Sequence, residues 1–278
     1  MKPFEKVKRT SGRSLFIFDH GLGDFVLYLP VHKEFVKQTG INVALASPMK
    51  RQFHKLESSV ISYESLDPKG YEYTYRIYYP DSKAHKPPFE YHDEPAKPYL
   101  CAYYELGMNE FIWKPHLIKN NTFVENSKRI GVHFFGFTGA EAKFCPNHLT
   151  ELIWNEVIKA GYEPFECHMR PSFRTDYKDC ETDGDACHFI DEKHSLRYQK
   201  PDLQLMRNEI GKCKYFIGVD SGPLYLAASL LGYDRLIGLE NLKRMSYFCP
   251  KPFQKVSVRE YQRGTIYKLI KRKEDAHV

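Results

Sequence analysis

No run in this chain is apolar for long enough to cross a bilayer, which takes about 20 residues, and neither end carries a lipidation motif. Any membrane contact is therefore expected to be peripheral. Cysteines number 7, an odd and scattered set without tight pairs, which excludes a disulfide framework. Met1-Lys-Pro-Phe-Glu5 is too polar for a secretory leader, so reduced thiols in a cytoplasmic protein are expected. Cys180, Cys187, His188 and His194 gather loosely, but at spacings that fit no standard zinc site. A Ser-His-Asp hydrolase signature is missing. Gly21-Leu-Gly23-Asp24 lacks the third glycine of a dinucleotide fingerprint, which argues against a nicotinamide enzyme. A strong charge of one sign is lacking too. The balance of +6 permits an anionic partner without requiring one. Its basic residues sit toward the two ends (Lys2, Lys6, Lys8, Arg9, Arg13; Arg263, Lys268, Lys271, Arg272, Lys273) and read as solvated terminal charge.

What is present is an ordinary folded composition, 42% hydrophobic and 27% charged, over 278 residues. That length suits two domains, assigned here to 1–125 and 126–278, with Asn120 to Ser127 as the linker. Aromatic residues make up 15%, enough to fill cores and still stack on a base or sugar. Short apolar runs alternate with helical patterns through both halves, which predicts parallel sheets. Residues 1 to 13 read as a basic lead-in, Met49 to Leu56 as a short helix, and Tyr99 to Leu106 as the helix that closes the first half. Pro80 to Pro98, rich in Pro, His and charge, reads as an irregular loop on the acceptor side.

Two stretches stand out. Tyr215 to Val219 is a buried-strand pattern. Asp220-Ser-Gly-Pro223 turns it into a helix through Leu224, Leu226, Ala227 and Leu231, which Gly232 ends. Ser221 suits an N-cap and Pro223 a first helical turn. Gly222 lets a ligand approach the backbone, and the helix start offers N–H groups and a positive dipole end, which together suit phosphate. An ordinary βα turn has the same pattern. Near the other end, Ser14 to Phe18 leads through Asp19-His-Gly21-Leu-Gly23-Asp24 into a helix carrying Phe25, Val26, Leu29 and Phe35. This second unit has a carboxylate at its helix start.

Together these stretches resemble glycosyltransferase family 9, the ADP-heptose:lipopolysaccharide heptosyltransferases. Gly23-Asp24 through Leu29-Pro30 match its N-terminal Gly-Asp and Leu-Pro. Asp220-Ser221-Gly222-Pro223 with Leu226-Ala227 match its C-terminal Asp-Thr/Ser-Gly-Pro and following helix. Lys143, before Phe144-Cys145-Pro146, matches the lysine that precedes Trp-Pro. The resemblance implies an α/β GT-B fold, two Rossmann-like domains with parallel sheets facing a central cleft. It implies an inverting, metal-independent transferase without a cofactor, whose donor is a nucleotide-diphosphate sugar.

On that resemblance Asp24 is the base for the acceptor hydroxyl; by pattern alone it reads first as a helix-capping carboxylate. Asp19 is the second candidate, and Gly21 and Gly23 line the acceptor side. Ser221, Gly222, Pro223 and Lys143 are placed at the diphosphate, although Lys143 also reads as a surface lysine. Asp220 is expected to shape the turn. Tyr225 stands where the family has His and is neutral at pH 7. Glu166, just past a short strand, is a candidate for the ribose hydroxyls. Asp183-Gly-Asp185 has the Asp-x-Asp form of metal-dependent glycosyltransferases, but no apolar strand leads into it, and it reads as a solvated turn. The acceptor is expected to be a lipopolysaccharide core or another saccharide. A hydroxymethylated base in DNA is the alternative, and a non-catalytic nucleotide-binding module a further one.

Overall fold

A computed structural model describes residues 1–47, 52–57, 59–62, 65–80, 96–114, 128–136, 144–169, 189–241 and 254–276. The chain divides into two compact units, one of residues 1–118 and one that takes 119–245 and 252–278. The 125/126 boundary and the Asn120–Ser127 linker lie outside the described residues.

In the first unit, β1 (Ser14–Phe18) is buried at every position, so it reads as one continuous apolar run. It pairs in parallel with β2 (Val43–Ser47) on one side and β4 (Tyr73–Ile77) on the other, and β2 pairs with β3 (Val60–Ser62). The order is β3-β2-β1-β4. Between β1 and β2 runs α2 (Leu22–Thr39), whose buried residues include Phe25, Leu29 and Phe35. Gly40, at φ 71°, ends it in the left-handed conformation that glycine adopts without a Cβ clash. Inside this unit His32 is buried. Its Nε2 donates to the Val43 carbonyl at 3.0 Å, and its Nδ1 accepts from the Tyr28 hydroxyl at 3.2 Å. Both bonds suit the neutral ring, and burial lowers its pKa to about 4.

The basic lead-in turns out to hold a helix, α1 (Pro3–Arg9). Val7 is fully buried, the Phe4 amide donates to the Leu106 carbonyl at 2.9 Å, and the Phe4 ring meets Phe35 edge-on. Of the helix expected over 49–56, residues 49–51 lie outside the described residues, and Phe53–Lys55 form a single 3₁₀ turn. The helix expected from Tyr99 begins earlier, as α3 (Ala96–Leu100), and runs into a π-helical turn at Cys101–Glu105.

The second unit is a five-stranded parallel sheet of order β6-β5-β7-β8-β9. Its strands are β5 (Arg129–His133), β6 (Glu163–Glu166), β7 (Tyr215–Val219), β8 (Leu236–Glu240) and β9 (Gln254–Ser257). Ile130, Val132, Ile217, Val219, Ile237 and Leu239 form one core with Ile153 and Val157 of α4 (Asn147–Lys159) and Ile266 and Ile270 of a C-terminal helix. Two more helices, α5 (Leu203–Gly211) and α6 (Gly222–Leu231), pack on each other, and α6 also packs on β7 and β8. The C-terminal helix, α7 (Thr265–Asp275), is held at its start by the buried carboxylate of Glu156, which accepts from the amides of Gly264 (2.6 Å), Ile266 (2.9 Å) and Tyr267 (3.2 Å). A negative group there meets both the orphan N–H groups and the positive dipole end.

Each sheet has one place where the chain order reverses direction. In the first unit it lies between β1 and β4, and in the second between β5 and β7. Open parallel sheets take ligands at such a point, outside the carboxyl ends of the strands.

Candidate functional site

The turn after β1 lies at the first of these points. Gly21 is the N-cap of α2, in extended conformation (φ −67°, ψ 168°), and its carbonyl accepts from the Phe25 amide at 2.9 Å. Gly21 is exposed, and Gly23 and Asp24 are half-buried in the first turn of α2. Asp24 Oδ1 is 2.8 Å from Lys97 Nζ on α3. The Tyr79 hydroxyl, just beyond β4, donates to the Asp24 carbonyl at 2.9 Å. The Lys97 ammonium stands 5.3 Å from the Tyr79 ring centroid. Burial above all, with Cys101 and Asp24 nearby, pushes the Tyr79 phenol well above its ordinary pKa, so it stays protonated and donating. Asp19 is differently engaged. Its carboxylate pairs with Arg76 Nη1 at 2.8 Å on β4. His20 Nε2 lies 3.0 Å from the Ile77 carbonyl, and its ring meets Phe18 and Tyr79. Sequence reasoning missed Arg76, Tyr79 and Lys97. Arg76 alone left a signal, as the charged residue in an alternating strand.

In the second unit the turn after β7 lies at the other reversal. Ser221 is the N-cap of α6, extended at φ −154° and ψ 170°, yet its side chain makes no capping bond. Its Oγ is buried and has no hydrogen-bond partner among the described residues. The amides of Leu224 and Tyr225 turn back onto the Ser221 carbonyl at 3.1 and 3.4 Å, and Pro223 has no N–H to give. Among the described residues the Gly222 amide has no acceptor. The helix start therefore presents one hydroxyl and one amide rather than a ring of N–H groups. Asp220 and Tyr225 are both buried, and the Tyr225 hydroxyl donates to Asp220 Oδ1 at 2.6 Å. This bond closes the turn from within.

Glu166 is placed otherwise than a ribose-facing role requires. It is fully buried at the end of β6, where Arg197 Nη2 (2.7 Å), Arg197 Nε (3.2 Å) and the Ser195 hydroxyl take up its carboxylate. Sequence gave no hint of that, because Arg197 lies 31 positions downstream. Lys143, Asp183, Asp185, Cys180, Cys187 and His188 lie outside the described residues, as does 81–95 of the acceptor-side loop. His194 is described, with Nδ1 2.6 Å from Asp191 Oδ1.

His133 ends β5, beside Gly218 of β7, and its ring stacks on His168 with centroids 5.6 Å apart. It is fully buried, and neither ring nitrogen has a hydrogen-bond partner among the described residues. Burial, reinforced by His168, drives its pKa down to about 3. His133 and His32 thus remain neutral in the folded chain but titrate near 6.5 once unfolded. Their stabilisation is complete above that value and is lost as pH falls below it, at about 1.4 kcal/mol per pH unit for each. Each unit should lose about 2 kcal/mol between pH 6.5 and 5 from this cause, read as a lower urea midpoint. His133→Phe, which strands no partner, should flatten that dependence in the second unit. An unaltered slope would show that its charge state does not matter.

Each unit is a parallel sheet with a strand–turn–helix at its chain reversal, and the fold is the GT-B fold of solved glycosyltransferases. Solved structures of that kind superpose over almost the whole chain. E. coli ADP-heptose lipopolysaccharide heptosyltransferase II is 15% identical over 95% of this chain and 99% of its own, with a TM-score of 0.64. A glycosyltransferase family 9 protein from Veillonella parvula is 13% identical over 95% of this chain and 96% of its own, with a TM-score of 0.61. The iron-containing dodecameric glycosyltransferase TibC of enterotoxigenic E. coli is 14% identical over 91% of this chain, with a TM-score of 0.57. The chain spans 65% of TibC. No protein-family model matches the sequence, and no curated protein matches it. No helix among the described residues is long and apolar enough to cross a membrane.

Proposed function

We infer that this protein is a glycosyltransferase that moves a sugar from a nucleotide-diphosphate sugar to a hydroxyl of a saccharide acceptor, with inversion and without a metal ion. The observation that carries the reading is Ser221. A buried hydroxyl without a partner costs about 1–3 kcal/mol, and this one sits at a helix start, at the reversal point of a parallel sheet. A diphosphate oxygen is the partner that suits all three features. A heptosyltransferase of this fold, TibC, has been solved with ADP-D-β-D-heptose.

Transfer then needs a proton acceptor and a sink for leaving-group charge. Asp24 takes the proton of the acceptor hydroxyl as its oxygen bonds to the anomeric carbon from the side opposite the diphosphate. The nucleoside diphosphate departs with the bonding pair. The Ser221 hydroxyl, the Gly222 amide and Lys143 meet its growing charge, the last by family resemblance. Fixed dipoles and a lysine leave no task for a divalent ion.

A panel of ADP-, UDP- and GDP-sugars, with and without excess EDTA, tests this. At least one donor should raise the melting temperature and be turned over, with EDTA making no difference. Strict dependence on Mg²⁺ or Mn²⁺ would transfer the argument to Asp183 and Asp185. Retention of hydroxymethylated duplex DNA, falling steeply with salt, would replace the saccharide acceptor by DNA.

A further inference from the structure

We propose that Lys97 is the positioning residue of Asp24, holding one carboxylate oxygen so that the other is left open toward the acceptor hydroxyl. This rests on Asp24 being the base. Lys97 Nζ is 2.8 Å from Oδ1, and the two side chains are only 30% and 27% exposed. A charge-assisted bond of that length fixes the carboxylate's rotation. The lysine is itself held, since its ammonium lies over the Tyr79 ring while the Tyr79 hydroxyl bonds the Asp24 carbonyl. Lysine, tyrosine and aspartate are therefore linked to one another, drawn together at the β1/β4 reversal.

Oδ2 has no hydrogen-bond partner among the described residues. It faces Gly21, where a Cβ would stand 3.5 Å from it and touch nothing else within 4 Å. The missing side chain at Gly21 is what leaves that oxygen approachable. Gly21 has a φ of −67°, so its backbone does not itself demand glycine. Access to the carboxylate, rather than a left-handed turn, accounts for glycine here. A base whose two oxygens were both free would rotate between orientations, and a nearly oriented group loses much of its rate advantage when misplaced.

Lys97→Met, Lys97→Arg, Gly21→Leu and Asp24→Asn, with the Lys97→Met/Asp24→Asn pair, decide this. Nucleoside diphosphate release is followed from the fastest donor among ADP-heptose, ADP-glucose, UDP-glucose and GDP-mannose, beside melting curves. Lys97→Met should lower kcat about 10- to 100-fold with the donor's KM within a factor of three. Lys97→Arg should recover most of the loss. In the Asp24→Asn background Lys97→Met should change kcat by less than threefold. Gly21→Leu should lower kcat/KM at least tenfold without lowering the melting temperature. A slow Asp24→Asn beside a normal Lys97→Met overturns the positioning role alone. A normal Asp24→Asn removes Asp24 as the base and the positioning role with it, while leaving the transferase reading standing; no turnover of any donor by the unaltered protein overturns both.

Discussion

Asp24→Asn should lower the transfer rate at saturating donor by roughly 10²–10⁴-fold, the usual worth of a positioned general base. An acceptor hydroxyl is a weak nucleophile until its proton is being removed, and the amide keeps the shape of the carboxylate while losing that ability. With the donor at Ser221 and Gly222 of the second unit, as proposed, its binding should be unaffected. The stability change should be small, because the Lys97–Asp24 pair is about a quarter to a third exposed and such pairs contribute little net. A carboxylate that only caps α2 behaves in the opposite way. It would cost melting temperature and spare turnover. The geometry already bears on that choice, since Oδ1 goes to Lys97 rather than to an amide of the first turn. Asp19→Asn should be milder, because Asp19 pairs with Arg76. A kcat within threefold of normal for Asp24→Asn would remove Asp24 as the base.

Both strand–turn–helix units were legible because β1 and β7 are buried on both faces and so appear as unbroken apolar runs. Their helix starts are marked by residues with a physical reason to be there, Gly21 and Ser221. Two elements were not legible. In α1 charge dominates, and its burial rests on Pro3 and Val7. In β9, an edge strand, Val256 alone is buried. Within the sites, sequence could point to residues on the turn itself but not to those that meet them from afar. Lys97 lies 73 positions from Asp24, and no local period announces it. Glu166 fails for the same reason. Its place after a strand resembles that of a ligand-binding acid, while the arginine that occupies it arrives from a distant loop.

Ser221→Ala should separate binding from folding at the second site. In the free protein the Ser221 hydroxyl is buried without a partner among the described residues, so deleting it removes an uncompensated polar group. The free protein should melt at the same temperature or higher. A ligand that uses this hydroxyl should suffer. A hydrogen bond to a charged group contributes about 1.5–3 kcal/mol, so nucleoside diphosphate affinity should fall roughly 10- to 100-fold. The thermal shift at a fixed ligand concentration shrinks with it, because stabilisation follows the logarithm of ligand over Kd. Gly222→Val should go further and abolish the shift, since a branched side chain at the first helical position intrudes where phosphate would sit. Valine there costs the helix little, because its χ1 restriction acts against a preceding turn that position lacks. Melting curves of both variants with ADP, UDP and GDP are the measurement. If the Gly222→Val protein keeps the full nucleotide response, the diphosphate does not sit at the start of α6.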